Sequence, residues 1–334
     1  MHRMKVFFEF RWAGFSAQIW KVEPAMPRIL RSRSPVEDEP RLIDQLDIPL
    51  GKPIELAVWS VKKAGIRCKV IPSQLPVTFR MVRHEVEGEI ITVIPSKVWQ
   101  FKNTVYIAGK TINRRIDAAS LGLEPLKLEE QGLFEPDKET DLIEENDPFA
   151  KYYLPIMAYG PRHEYEMEQV IPFEDPDDWD SDPITRAADA FETGDKLTAY
   201  QMMAEILAED LRCIDAHAHL GNWEFNASDS SFDFREERAT RHYEAGIRIA
   251  ELSFDKNFHG LLPWGHIDNR PYLRCLHGYG LCLWRTGKTD AAREIFDKML
   301  WLNPRDNQGA RFLLADIDAG RSWQEMQDKE DKLA

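Results

Sequence analysis

The sequence predicts an α+β protein in which a β-rich N-terminal domain precedes a C-terminal helical array. Three changes along the chain predict it. Up to residue 128, short runs rich in β-branched and aromatic residues alternate with Pro, Gly and charge, the pattern of short strands. Residues 129–182 are acidic and proline-containing, the composition of a connector. From Pro183 onward, apolar side chains recur every three or four positions, as on one face of a helix. The expected divisions are therefore 1–128, 129–182 and 183–330. At 334 residues the chain suffices for a sizeable core and roughly two domains. Its formal net charge of −14 argues against general nucleic-acid binding by the whole chain, though not by one part of it.

In the first division the expected strands are VFFEFRW (Val6–Trp12), SAQIWKVE (Ser16–Glu23), LPVTFRMV (Leu75–Val82), GEIITVIPS (Gly88–Ser96) and TVYIAGKTI (Thr104–Ile112). PIELAVWSVKKA (Pro53–Ala64), bracketed by Gly51 and Gly65, reads as one helix. Together they predict a small α+β or barrel-like domain. The first residues faintly resemble a signal peptide, but Glu9 and Arg11 interrupt the apolar run. No run reaches the roughly 18 apolar residues of a membrane span, so a cytoplasmic location without membrane contact is expected. Cys68, Cys213, Cys275 and Cys282 form no CxxC pair and read as buried, reduced thiols.

This division is also locally basic. Lys62, Lys63, Arg67, Lys69, Arg80, Arg83, Lys97, Lys102, Lys110, Arg114 and Arg115 are interleaved with Phe79, Trp99, Phe101 and Tyr106. A single-strand nucleic-acid platform needs that mixture, cations for phosphates and rings for base stacking. A solvated basic face over an aromatic core is the plainer reading. The second division, EEQGLFEPDKETDLIEENDPF and then FEDPDDWDSDP, reads as exposed linker or long loops. Between them, KYYLPIMA (Lys151–Ala158) is apolar enough to dock on something.

The third division opens with Asp182-Pro183, a capping carboxylate followed by Pro at the first helical position. Ala187 and Ala190 face inward, Gly194 turns the chain, and Ala199, Met203 and Ile206 mark the next helix. CIDAHAHLGNWEF (Cys213–Phe225) and HYEAGIRIAELSF (His242–Phe254) supply another pair, followed by a connector over Phe258–Arg270. The clearest stretch is Pro271–Gly320. Leu276, Tyr279, Gly280 and Leu283 mark one helix face, Gly287 ends that helix, Ala291, Ala292, Ile295, Phe296, Met299 and Leu300 mark a second, and Asn303-Pro304 stops it. This stretch resembles a tetratricopeptide repeat (TPR), whose period is about 34 residues. Gly280, Gly287, Ala292, Phe296 and Pro304 fit the register of that family, while Leu276 and Met299 depart from it. Gly221 lies 34 residues after Ala187 in the same register. The resemblance implies a TPR-like α-solenoid of about three repeats.

No catalytic signature stands out: there is no GxGxxG, P-loop, GxSxG or HExxH. His217-Ala218-His219 resembles the metal-binding strand of amidohydrolases, where two imidazoles ligate zinc. On a helix these rings point about 200° apart and share no metal, and the repeat register makes this segment a helix. His259, His266 and His277 match no zinc spacing. No metal, cofactor or catalytic residue is assigned. The TPR resemblance instead implies a groove lined by Asn222 and Asn226 in one repeat, Arg274, His277, Trp284 and Arg285 in the next, and Arg311 in the last helix. Arg and Asn there would clamp an extended peptide through charge-assisted bonds, with Trp284 as anchor. Alternatively, the chain's own linker fills that groove. The expected function is a protein- or peptide-binding adaptor. The alternatives are a nucleic-acid factor using the basic N-terminal domain, or an enzyme whose site the sequence does not display.

Overall fold

The computed structural model describes residues 41–62, 65–80, 84–138, 147–175, 177–178, 181–227 and 235–331. The chain divides into Met1–Arg41 and Leu42–Ala334, and every described element lies in the second unit. The strands expected over Val6–Trp12 and Ser16–Glu23 lie outside the described residues.

Five strands close a barrel: β1 (Ile54–Lys62), β2 (Gly65–Ile71), β3 (Pro76–Arg80), β4 (Glu89–Phe101) and β5 (Thr104–Ile116). Their order is β1-β2-β3-β5-β4, with β4 returning to β1. Only β3 and β5 run parallel. Alternate residues turn inward, so Leu56, Val58, Ile66, Cys68, Val77, Phe79, Ile91, Val93, Val105 and Ile107 fill the interior. Strands β4 and β5 are long enough to serve two walls, and their register shifts between Thr92 and Val93 and again between Pro95 and Lys97. Gly109 sits at the second irregularity, where a Cβ would strike the carbonyl of Ile94; the close approach requires glycine.

The helix expected over Pro53–Ala64 is strand β1. Its inward residues fill the barrel, while outward Ala57 and Trp59 pack against helices with Ile90. A strand covered on both faces loses the polar alternation that marks a half-exposed one, and the apolar run then imitates a buried helix.

The stretch expected as a connector is also ordered in large part. Strand β6 (Leu128–Phe134) pairs antiparallel with β7 (Arg162–Met167), and helix α1 (Ala150–Tyr159) lies between them in sequence. Phe134, Tyr152, Tyr153, Ile156 and Met167 are buried, while Glu129, Glu130 and Gln131 are exposed. The charge belongs to the wet face of a ribbon whose other face is packed.

Eight more helices follow: α2 (Pro183–Glu192), α3 (Lys196–Glu209), α4 (Ile214–Phe225), α5 (Arg235–Ala250), α6 (Arg270–Arg285), α7 (Thr289–Leu302), α8 (Ala310–Asp318) and α9 (Trp323–Asp331). Asp182 caps α2 by accepting from the amides of Ile184 (2.8 Å) and Thr185 (3.2 Å). Successive helices pack on one another, α2 on α3, α4 on α5, α5 on α6 and α6 on α7. Gly280 of α6 faces Phe296 of α7 so closely that a Cβ would lie 2.6 Å from the ring. Gly221 of α4 faces Tyr243 of α5 in the same way, at 2.5 Å. None of the described helices is long and apolar enough to cross a membrane. All four cysteines are buried and unpaired.

Candidate functional site

The two sides of the barrel have different surroundings. The outward residues Ala57, Trp59 and Ile90, on β1 and the start of β4, are packed against α2, α3 and α4. The outward faces of β2, β3, β5 and the end of β4 carry partly exposed and exposed side chains. Strand pairing there builds two adjacent rungs. In the first, Arg67 pairs with Thr78, Thr78 with Tyr106, and Tyr106 with Trp99. In the second, Arg80 pairs with Ala108 and Ala108 with Lys97. Gly65 abuts Arg80, whose Cδ is 3.9 Å from the place a Cβ would take, and Gly65 pairs with Lys62 of β1. The second rung thus runs on toward Lys62.

Rings and cations alternate on these rungs. The Trp99 and Tyr106 rings stack with centroids 5.4 Å apart and planes 13° from parallel. The Arg80 guanidinium lies 5.2 Å from the Tyr106 centroid, and the Lys97 ammonium 5.3 Å from that of Trp99. At the β4–β5 turn, Phe101 is 61% exposed beside Lys102. No acidic residue occurs in residues 65–80 or 90–116. Across 65–116 the chain carries nine Lys and Arg against three Glu, a local charge of +6 within a protein of −14. Phe79, expected among the interleaved rings, is instead wholly inside the barrel.

The three glutamates, Glu85, Glu87 and Glu89, are buried; they lie between β3 and β4 and at the first residue of β4, where the chain meets the helices. Arg241 of α5 holds both oxygens of Glu89 (2.8 and 2.9 Å) and donates to the His84 carbonyl (2.6 Å). Arg238 donates to Glu224 (3.0 Å) and to the Glu85 carbonyl (3.2 Å). Arg114 of β5 reaches Glu85 at 3.1 Å and Glu89 at 3.7 Å. Glu87 accepts from the Val61 amide at 2.9 Å. Burial pushes the carboxyls of Glu87 and Glu89 up, against the pull of Arg238 and Arg241 respectively. Gly88, at φ +83°, brings this turn onto the helices, where a Cβ would lie 3.5 Å from Ala245 and 3.7 Å from His217.

Beneath Gly88, His217 of α4 and His242 of α5 are fully buried with ring centroids 5.9 Å apart. Neither ring makes a hydrogen bond of normal geometry, though the Leu211 backbone lies near enough to His217 to favour its proton slightly. Burial holds His217 down to about 4 and pushes His242 well below the ordinary imidazole value, the latter helped by Arg238. His219 points elsewhere, toward Asp215 (3.9 Å) and the Trp223 ring. The two imidazoles of the HxH segment diverge on a helix. Among the described residues, no three His, Cys, Asp or Glu side chains are grouped to hold a metal ion.

The residues expected in a peptide groove are mostly engaged within the chain. Asn222 accepts from the Tyr243 hydroxyl at 2.7 Å, and Asn226 turns back on the Asn222 carbonyl. Arg274 pairs with Asp215 at 3.0 Å and Arg285 with Glu236 at 3.2 Å. Burial lowers His277 to about 4, and its ring lies against Phe296. Trp284, expected as an exposed anchor, is 2% exposed; its indole N–H donates to the Arg321 carbonyl and its ring meets Trp323 edge-on. It is a core residue, because α9 closes over the face it would have offered. Arg311 donates to the Tyr153 hydroxyl at 3.0 Å and to Asp306 at 3.3 Å. Tyr153 belongs to α1, whose Lys151 and Tyr152 both bind Asp318. The KYYLPIMA segment thus docks on the chain's own last helices.

No protein-family model, curated protein or solved structure matches the chain. Function therefore rests on the geometry above. Arg238, Arg241, His242 and the three buried glutamates were not singled out from sequence. Their signal was present: the carboxylates of EVEGE alternate inside an otherwise acid-free stretch, and two arginines one helical turn apart precede His242.

Proposed function

We propose that the barrel binds single-stranded nucleic acid across β2, β3, β5 and the end of β4, and that the helices form a TPR-like adaptor for a protein partner. The observation that carries the first part is the stacked Trp99–Tyr106 pair, flanked by Arg67, Arg80 and Lys97 on a surface without acids. Cations along such a track neutralise phosphates, and exposed ring faces stack on bases at about 1–3 kcal/mol each. Phe101 and Lys102 extend the track at the β4–β5 turn. A duplex hides its base faces, so the half-buried Trp99 and Tyr106 rings and the exposed Phe101 ring favour a single strand.

The strand order supports the same reading. A five-stranded Greek-key barrel closing β4 onto β1 resembles the OB-fold layout, whose β2–β3 face and β1–β2 and β4–β5 loops receive oligonucleotides or oligosaccharides. Fold alone settles no function; the cations select the polyanion over the neutral sugar. The adaptor part is supported by the repeated glycine-against-ring contacts, Gly221 on Tyr243 and Gly280 on Phe296, which suit the small positions of TPR helices. A partner peptide would have to exchange the ion pairs of Arg274 and Arg285.

The test is fluorescence anisotropy of a labelled single strand of about 12 nucleotides with the full chain. Wild type should bind, W99A/Y106A and R80E/K97E should each weaken binding at least tenfold with unchanged circular dichroism, and a duplex of the same sequence should bind less well. Absence of binding at low salt, or equal binding by both variants, contradicts the proposal.

A further inference from the structure

A cleft of about 710 Å³ lies where the second rung ends, between β1 and helices α3, α4 and α5. That volume suits a small organic ligand. Its walls include Val61, Leu197 and Leu220, and Leu197 is 72% exposed at 197 on α3. Tyr200 stands between them, its ring fixed edge-on against Trp223 at 5.4 Å. The polar lining is Lys62, Glu87, Gln201, Glu205, Arg238 and His242.

Three of these groups are pre-set. Arg238 is held by Glu224 and the Glu85 carbonyl, so its guanidinium is fixed in place. Glu87 has one oxygen on the Val61 amide and a second able to accept. His242, fully buried beneath the cleft, has no partner on either ring nitrogen. A buried polar group normally has a partner; the His242 ring lines the cleft with both nitrogens closed to solvent. Lys62 connects the cleft to the barrel face through Gly65 and Arg80.

We propose that this cleft takes one nucleotide, its base between the Tyr200–Leu197 wall and Val61 and its phosphate at Lys62. The donor and acceptor edge of the base meets Glu87, Gln201 and Arg238, a mixture that an apolar ligand or a simple anion would leave unmatched. The identity of the ligand as a nucleotide rests on the single-strand reading of the barrel face. The nucleotide arrives either as one base splayed out of the bound strand or as a free mononucleotide; both present the same ring and phosphate.

The experiment uses the full chain and two variants. Ala204→Trp fills the cleft from α3, and Lys62→Glu reverses the charge at its mouth, so the two act on different elements. Saturation-transfer NMR with the four nucleoside 5′-monophosphates should detect at least one. Ala204→Trp and Lys62→Glu should each weaken it at least tenfold. In parallel, both variants are titrated with the single strand. A strand affinity lowered at least threefold by Ala204→Trp assigns the cleft to a strand-borne base, whether or not free nucleotides bind. Nucleotide binding with no strand binding keeps the cleft and removes the reading of the barrel face. If no mononucleotide binds and Ala204→Trp leaves strand affinity unaltered, the cleft is not a nucleotide site. If Ala204→Trp acts only with altered circular dichroism while Lys62→Glu has no effect, the proposal is likewise overturned.

Discussion

Arg241→Met tests how the barrel is fixed to the helices. The substitution keeps most of the side-chain volume but removes the guanidinium that holds both oxygens of Glu89 and the His84 carbonyl. Glu89 is fully buried, and a buried charge left by its partner costs about 3–5 kcal/mol. Two contacts remain, the Val86 amide at 3.0 Å and Arg114 at 3.7 Å, which places the expected loss at the lower end, about 3 kcal/mol. The double variant Arg241→Met/Glu89→Leu removes the stranded charge as well. It leaves the His84 carbonyl and the Val86 amide without those partners, at about 1 kcal/mol each. Urea unfolding at pH 7, followed by tryptophan emission, measures both. The reasoning is refuted if the single variant loses less than about 1 kcal/mol, or if the double variant is no more stable than the single.

Acid should weaken the fold through its buried histidines. His217 and His242 are held below their ordinary value, so the unfolded chain takes up protons that the folded chain refuses. Stability is full above about pH 6.5 and falls as pH drops toward about 4, by about 3 kcal/mol for His217. Urea midpoints at pH 7.0 and 4.5 should differ less in His217→Phe than in wild type; an equal difference contradicts the assignment. Trp284→Ala should cost about 3–5 kcal/mol, read as a lowered melting temperature, because the ring is packed in the core and bonded to Arg321. A near-neutral effect would return Trp284 to the surface role expected from the repeat register.

Legibility followed local pattern. β4 and β5 were readable because their apolar residues alternate up to a turn at Lys102-Asn103. β1 was not, because helices cover its outward Ala57 and Trp59 and erase the alternation. The ribbon of β6 and β7 was hidden by the charge on its wet face, although the docking of Lys151–Ala158 was readable from its apolar content. On the barrel surface the right residue types were visible, but parity along a strand decides which side each takes; Phe79 went inside and Tyr106 outside. The junction was beyond local reading, since Glu89 and Arg241 stand 152 positions apart. The groove residues show the converse: the repeat register named Arg274 and Arg285, and long-range partners on α4 and α5 occupy them.

The most direct measurement of the central claim is the salt dependence of single-strand affinity for the full chain. Arg67, Arg80, Lys97 and Lys102 border the stacked rings. If each neutralises one phosphate, log K should fall with log salt at a slope of about −3. Arg80→Gln should reduce that slope by about 0.7 without abolishing stacking-driven quenching of tryptophan emission. A slope near zero, or a slope that Arg80→Gln leaves unchanged, would contradict a nucleic-acid track on this face of the barrel.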